Sequence, residues 1–228
     1  MMERIALIGG DEFRQGCEEA DRAILNAIGA ARPKVLVVPT AAVEGSPSMA
    51  AANGVRYFTD LGADAESLMV LDASDARDEG LADEVELADV VYLSGGNPAY
   101  LLETLSDTTV LRAMLDAHDR GAWIAGSSAG AMVLGTWMRF RTWSRALDIA
   151  KRLVALPHHE RADLESTSVE LVQNAPGDLA AAFGVDGRTG CLAFADGWKV
   201  LGPGNVTVYE AGSWRKFSSG ESFSLESG

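Results

Sequence analysis

The sequence predicts an α/β fold built on a mostly parallel sheet covered by helices on both faces. Three observations carry that prediction. Short apolar runs alternate along the chain with amphipathic stretches of helical period. The runs are continuous, as in Lys34–Pro39 (KVLVVP) and Val90–Leu93 (VVYL), and do not alternate with polar residues. Strands of that kind belong to a parallel sheet sandwiched between helical layers. Finally, two of the runs, at Leu93 and Ala125, end in Gly- and Ser-rich turns that lead into helices, the edge at which such sheets form their sites.

Each element can be justified in chain order. Ile5–Ile8 is a strand followed by Gly9-Gly10. Phe13–Ala30 reads as a helix, with Cys17, Ala20, Ile24 and Ile28 on one face and Gly29 as its stop. Lys34–Pro39 is a strand. Pro47–Leu61 is a helix, with Ser46 as cap and Pro47 at the first helical position. Leu68–Leu71 reads as a strand, Leu81–Leu87 as a short acidic helix and Val90–Leu93 as a strand. Helices are expected over Pro98–Leu105 and Val110–Arg120, a strand over Trp123–Ala125, and a helix from Ala129 to Leu134. The last quarter changes character. Thr189–Phe194, Trp198–Leu201 and Val206–Tyr209 look like short strands separated by Gly-containing turns. They are expected as a hairpin extension, from about 189, of a single domain spanning 1–228, with a frayed tail from Ser218.

Composition bounds the function. The chain has 228 residues, 47% hydrophobic and 23% charged, ordinary for one globular domain. The net charge of −14 disfavours a nucleic-acid surface, which needs clustered Lys and Arg. No apolar run is long enough to cross a bilayer, so no membrane partner is expected. No secretory leader is read at the N-terminus. The two cysteines, Cys17 and Cys191, have no metal or redox spacing. They read as buried hydrophobes in a reducing, cytoplasmic compartment.

The chemistry centres on Gly126-Ser127-Ser128-Ala129-Gly130. A G-x-S-x-G pattern between a strand and a helix is a nucleophile elbow: the turn lifts the serine hydroxyl clear of the sheet, at the positive end of the helix. The N–H of Ala129 can then bind a developing oxyanion. Serine needs a base, and the chain has three histidines. His118 lies in an acidic helix and reads as a surface residue. His158 and His159 follow the apolar run Leu153–Pro157. Adjacent side chains in an extended chain face opposite ways, so one of the two should reach the site. A metal reading of His158-His159-Glu160 lacks spacing and a further ligand, and no metal is expected. Ser94-Gly95-Gly96-Asn97 is the candidate for a second oxyanion donor, with Asn97 also able to cap the helix opened by Pro98.

These residues resemble the dipeptidase E and cyanophycinase family of serine peptidases. The resemblance rests on Tyr92-Leu93-Ser94-Gly95-Gly96-Asn97, Gly126-Ser127-Ser128-Ala129-Gly130-Ala131 and Pro157-His158. It is supported by Val37-Val38-Pro39-Thr40-Ala41, Gly184-Val185-Asp186 and the run Val200-Leu201-Gly202-x-Gly204-x-Val206-Thr207-Val208. It implies a class I glutamine amidotransferase-like fold with serine in place of cysteine, and peptidase chemistry without a cofactor. It implies Ser128 as nucleophile, His158 as base, Gly96 and Ala129 as the oxyanion hole, and Asn97 in the substrate cleft. It is compatible with a homodimer. Two departures stand out. The position after His158 holds His159 in place of the family's aromatic residue. The family's triad glutamate falls on Gly187, so Asp186 is the nearest carboxylate and the expected acid, with Glu160 and Asp148 as alternatives. The aspartate-binding arginine has no clear counterpart, and Arg161 is the candidate.

The leading expectation is a serine exopeptidase for short, Asp-containing peptides acting through an acyl-enzyme. The order Ser, His, acid argues against an α/β-hydrolase esterase. The alternatives are a cyanophycinase-type hydrolase of aspartate–arginine polymer, and a catalytically weakened member that binds peptides.

Overall fold

A computed structural model describes residues 4–225. In chain order the elements are β1 (Ile5–Ile8), α1 (Glu18–Ile28), β2 (Lys34–Val38), α2 (Pro47–Asp60), β3 (Asp64–Ser67) and α3 (Glu79–Glu86). They continue with β4 (Val90–Leu93), α4 (Pro98–Leu105), α5 (Thr109–Asp119), β5 (Trp123–Ser127), α6 (Ala129–Leu134), β6 (Trp137–Arg139) and β7 (Trp143–Arg145). The last are β8 (Leu153–Pro157), α7 (Leu164–Asn174), β9 (Ala181–Val185), β10 (Gly190–Phe194), β11 (Gly197–Leu201), β12 (Asn205–Glu210), β13 (Ser213–Ser218) and β14 (Ser222–Phe223).

The central sheet has the order β14-β11-β10-β1-β5-β4-β2-β3. The five strands β1, β5, β4, β2 and β3 run parallel, and β10, β11 and β14 continue the sheet antiparallel. Alternation along each strand assigns its side chains to two cores. Ala6, Ile8, Val35, Val37, Val90 and Tyr92 face α1 and α2 through Ile24 and Phe58. Ile5, Leu7, Leu36, Val38, Val91 and Leu93 face α3 to α6 and a second sheet. That second sheet, β13-β12-β9-β8, carries α7 on its far face through Leu171. The predicted class and the helix caps at Ser46, Asn97 and Gly29 hold.

Several expectations need correction. Helix α1 starts at Glu18, not Phe13, because residues 11–17 form a loop in which Asp11 and Phe13 take positive φ. The strand expected at Leu68–Leu71 lies at Asp64–Ser67, paired residue by residue with Lys34–Val37. Leu68 and Val70 are buried just past its end, so their hydrophobicity reports core contact and not the ladder. The C-terminal strands are not one appended hairpin. β10 and β11 extend the central sheet, while β12 pairs with β9 in the second one. The expected frayed tail is pinned up to Leu225: β14 pairs with β11, and Phe223 is buried and stacked on Phe217. Its last three residues lie outside the described ones. Among the described residues, no helix is long and apolar enough to cross a membrane.

Candidate active site

The site forms where β1, β5 and β4, neighbours in the sheet, end together. Ile8 pairs with Ser127 and Leu93 with Gly126, so the turns after the three strands are held side by side. Parallel strands β8 and β9 deliver a second set of turns, with Pro157 opposite Val185. Backbone bonds tie the two sets together: His158 N–H to Gly9 O at 2.8 Å, Gly9 N–H to Thr189 O at 3.0 Å, and Arg188 N–H to Gly10 O at 2.8 Å.

Ser128 stands alone between β5 and α6 with φ 50° and ψ −108°. That conformation is strained for a residue with a Cβ, at a cost of about 1–3 kcal/mol, and such strain collects at functional turns. The flanking glycines serve a different purpose from the one their motif suggests. Neither has positive φ; they make room. A Cβ on Gly126 would lie 2.4 Å from the Gly130 carbonyl carbon, and one on Gly130 would lie 2.2 Å from Leu93 O. Backbone atoms cannot yield to such contacts, so α6 packs on β4 and β5 only with glycine there.

His158, in the left-handed conformation just past β8, aims its imidazole at the serine: Ser128 Oγ and His158 Nε2 are 3.1 Å apart. The ring lies over Gly10, where a Cβ would come within 2.2 Å of it. His158 Nδ1 is buried and has no hydrogen-bond partner. His159 turns the other way. It is buried beside Tyr209, with Nε2 2.7 Å from the phenol oxygen, and burial holds its pKa below the ordinary value. His118 sits at the opposite end of β5, with Nδ1 3.1 Å from Ala122 O.

The loop after β4 contributes Gly95, Gly96 and Asn97. Gly96 has φ 144°, and a Cβ on it would strike Ala41 O at 2.0 Å. Asn97 Oδ1 caps α4 by accepting from Ala99 and Tyr100 N–H, while its amide donates to Glu44. Glu12, which sequence reasoning passed over, joins this loop to the elbow. Its carboxylate accepts Gly95 N–H at 2.7 Å and the Ser127 hydroxyl at 2.8 Å. An open pocket beside Ser128 and His158 is lined by Asp11, Glu12, Arg14, Asn53 and Arg56.

Other predicted residues are placed differently. Asp186 follows β9 beside His158, but its Oδ2 accepts the Asn205 backbone and side-chain N–H groups at 2.9 and 3.2 Å. It is not hydrogen-bonded to His158, whose Nδ1 has no partner. Arg161 is 74% exposed, pairs with Glu160 at 3.3 Å and is not among the residues lining the Ser128 pocket. Asp148 bonds Thr136 and Lys151 in the turn after β7. Among the described residues, no group of three or more His, Cys, Asp or Glu side chains is arranged to hold a metal.

The chain is similar to known proteins over most of its length. The chain is 28% identical over 222 residues to a cyanophycinase of Trichormus variabilis, covering 90% of this chain and 73% of that protein. It is 26% identical over 223 residues to a cyanophycinase of Geminocystis herdmanii, covering 90% and 80%. Its fold matches the crystal structure of a peptidase from an acI-B1 Actinobacterium with TM-score 0.86 and 24% identity, covering 97% of this chain and 96% of the other. A putative peptidase E protein from Listeria monocytogenes superposes with TM-score 0.64 and 17% identity over 89% of this chain and 98% of that one. Residues 5–172, which hold both the elbow and His158, match Peptidase family S51. The fold, the paired Ser128 and His158 and this match converge: the chain belongs to peptidase family S51 and is a serine-type peptidase.

Proposed function

We propose that the protein is a serine exopeptidase that hydrolyses short, Asp-containing peptides through an acyl-enzyme on Ser128. The observation that carries this reading is the 3.1 Å approach of His158 Nε2 to Ser128 Oγ at a strained strand–helix turn. His158 takes the hydroxyl proton as Ser128 attacks the scissile carbonyl. The tetrahedral oxyanion is held by the N–H of Ala129, at the start of α6, and by that of Gly96. His158 returns the proton to the leaving amine, and water then releases the acyl group. Asn97 lines the cleft beyond Gly96.

Arg14 and Arg56 line the pocket beside Ser128, together with Asp11 and Glu12, and are the arginines available there to an acidic side chain; Arg161 does not line it. A second reading, hydrolysis of an aspartate–arginine polymer, is favoured by one feature. Further open pockets adjoin the one beside Ser128, sharing Gly95 and Gly96 with it and running on to Asn97, Phe140 and Arg141, where a longer chain could lie. Two buried free cysteines accord with a reducing, cytoplasmic setting. The deciding experiment incubates the protein with Asp-X dipeptides and with the polymer, beside Ser128→Ala. Dipeptide hydrolysis that vanishes in the variant is expected. Activity retained by Ser128→Ala would remove the serine from the mechanism, and polymer cleavage alone would favour the second reading.

A further inference from the structure

His158 lacks the group that should orient it. Its Nδ1 is buried and unpartnered, whereas a catalytic imidazole needs an acceptor there to fix its tautomer and to stabilise the imidazolium. Leaving a buried donor bare is itself unfavourable. Asp186, the adjacent carboxylate, has its Oδ2 tied to Asn205 and makes no bond to His158.

The space around Gly187 points elsewhere. Glu160, two residues after His158, accepts the Gly187 N–H at 2.8 Å. A Cβ built on Gly187 would lie 3.7 Å from both Glu160 oxygens and 3.3 Å from Asp11 Oδ2. Two carboxylates thus border one position that carries no side chain. Gly10, whose carbonyl receives the N–H of the next residue, Arg188, lies directly under the imidazole, where a Cβ would stand 2.9 Å from His158 Nδ1. The segments 10–11, 158–160 and 187–188 therefore meet at one spot. Carboxylates that gather beside an imidazole favour its charged form. Their arginine partners, Arg161 on Glu160 and Arg14 on Asp11, are 74% and 73% exposed and so are well screened. Burial opposes ionisation of Glu160, but the Gly187 N–H and the charge of His158 keep its pKa below the ordinary value.

We propose that Glu160 is the positioning residue for His158, its carboxylate reaching into the space left open at Gly187 to accept the Nδ1–H hydrogen bond. This deepens the serine-peptidase reading and rests on it. The proton from Ser128 Oγ moves to His158 Nε2 and from there to the leaving amine. Glu160 takes no proton; its carboxylate turns from the Gly187 N–H and from Arg161 to accept the Nδ1–H bond as the imidazolium forms. The absence of a side chain at 187 is what lets a carboxylate from the histidine's own turn occupy that space.

The test uses the full chain, dipeptide kinetics and the rate of Ser128 labelling by a fluorophosphonate. Glu160→Gln should lower kcat and the labelling rate by at least about tenfold, below the ~10⁴ lost with a fully buried triad acid, with KM little changed. Glu160→Asp should lose less. Adding Gly187→Glu to Glu160→Gln should restore much of the loss by placing a carboxylate at the same spot. A general structural role for Glu160 would not be rescued from position 187. Unchanged kcat and labelling in Glu160→Gln, or a double variant no better than the single one, overturns the proposal. Loss in Asp11→Asn with none in Glu160→Gln overturns it in favour of Asp11. A native protein that is neither labelled nor active sinks the serine-peptidase reading itself, which separates the two failures.

Discussion

Asp21 offers a prediction whose size can be worked out from its surroundings. It sits on α1 with 1% of its surface exposed. Its Oδ2 accepts the Tyr57 hydroxyl at 2.8 Å, and its Oδ1 is buried without a partner. Burial pushes its pKa up from 3.8 to about 7; the Tyr57 hydrogen bond opposes this, and the charges of Glu18 and Glu12 add to it. Between these two values the folded protein keeps a proton that the unfolded chain has released. The associated stability is therefore full below pH 4 and is lost as pH rises towards 7. Each unit is worth about 1.4 kcal/mol, so the whole window amounts to ~4 kcal/mol. Asp21→Asn keeps an acceptor for Tyr57 and cannot ionise. In urea unfolding at pH 5 and pH 8, the variant should gain about 3 kcal/mol on the native protein as pH rises. Every other titrating group is common to both proteins and cancels in the difference. A difference that stays constant with pH would refute the reasoning. The site has a stake in the result, because Tyr57 and Tyr92 pack on Phe13, which lines the pocket beside Ser128.

Two further substitutions separate the machinery from its support. Glu12→Gln replaces a charged acceptor for Gly95 N–H and the Ser127 hydroxyl with a group that can accept only one of them well. It should cost about 1–3 kcal/mol in urea unfolding and slow Ser128 labelling, since the glycine loop and the elbow lose their clasp; labelling at the native rate would show that the clasp does not matter to the site. Tyr209→Phe strips the buried His159 of its partner and should cost about 1–3 kcal/mol while leaving Ser128 labelling unchanged. Slowed labelling would mean that His159, and not His158 alone, communicates with the serine.

What the sequence made legible follows the range over which each signal acts. Local chemistry could be read directly. Ser46 and Asn97 cap their helices through bonds to residues two or three places on, and Gly29 ends α1 in the left-handed region that glycine favours. Strands buried on both faces announced themselves as apolar runs. Weakly amphipathic or exposed elements did not: α7 buries only Ser168 and Leu171, and β13 is largely exposed. Edge strand β3 carries Asp64 and Glu66, so the nearby buried leucine drew the prediction past it.

The site divides along the same line. Ser128 and His158 are each marked by the turn they sit on, and the end of β1 brings them together: Ser128 N–H donates to Ile8 O and His158 N–H to Gly9 O. Glu12 is invisible in sequence because its partners lie 83 and 115 residues away and nothing in its own neighbourhood distinguishes it. The acid is harder still. Asp186 lies beside His158 in chain topology, through the Pro157–Val185 pairing, yet its Oδ2 is bonded to Asn205, from a third strand, and not to the histidine. Strand order fixes which residues arrive at an edge; it does not fix which way their side chains point once there. Gly187 shows the consequence most clearly. A missing side chain reads in sequence as a lost triad member, whereas in space it is an opening bordered by Asp11 and Glu160. Whether a histidine has an acid partner is decided by what fills the space around its second nitrogen, and a chain can supply that from any segment that reaches it.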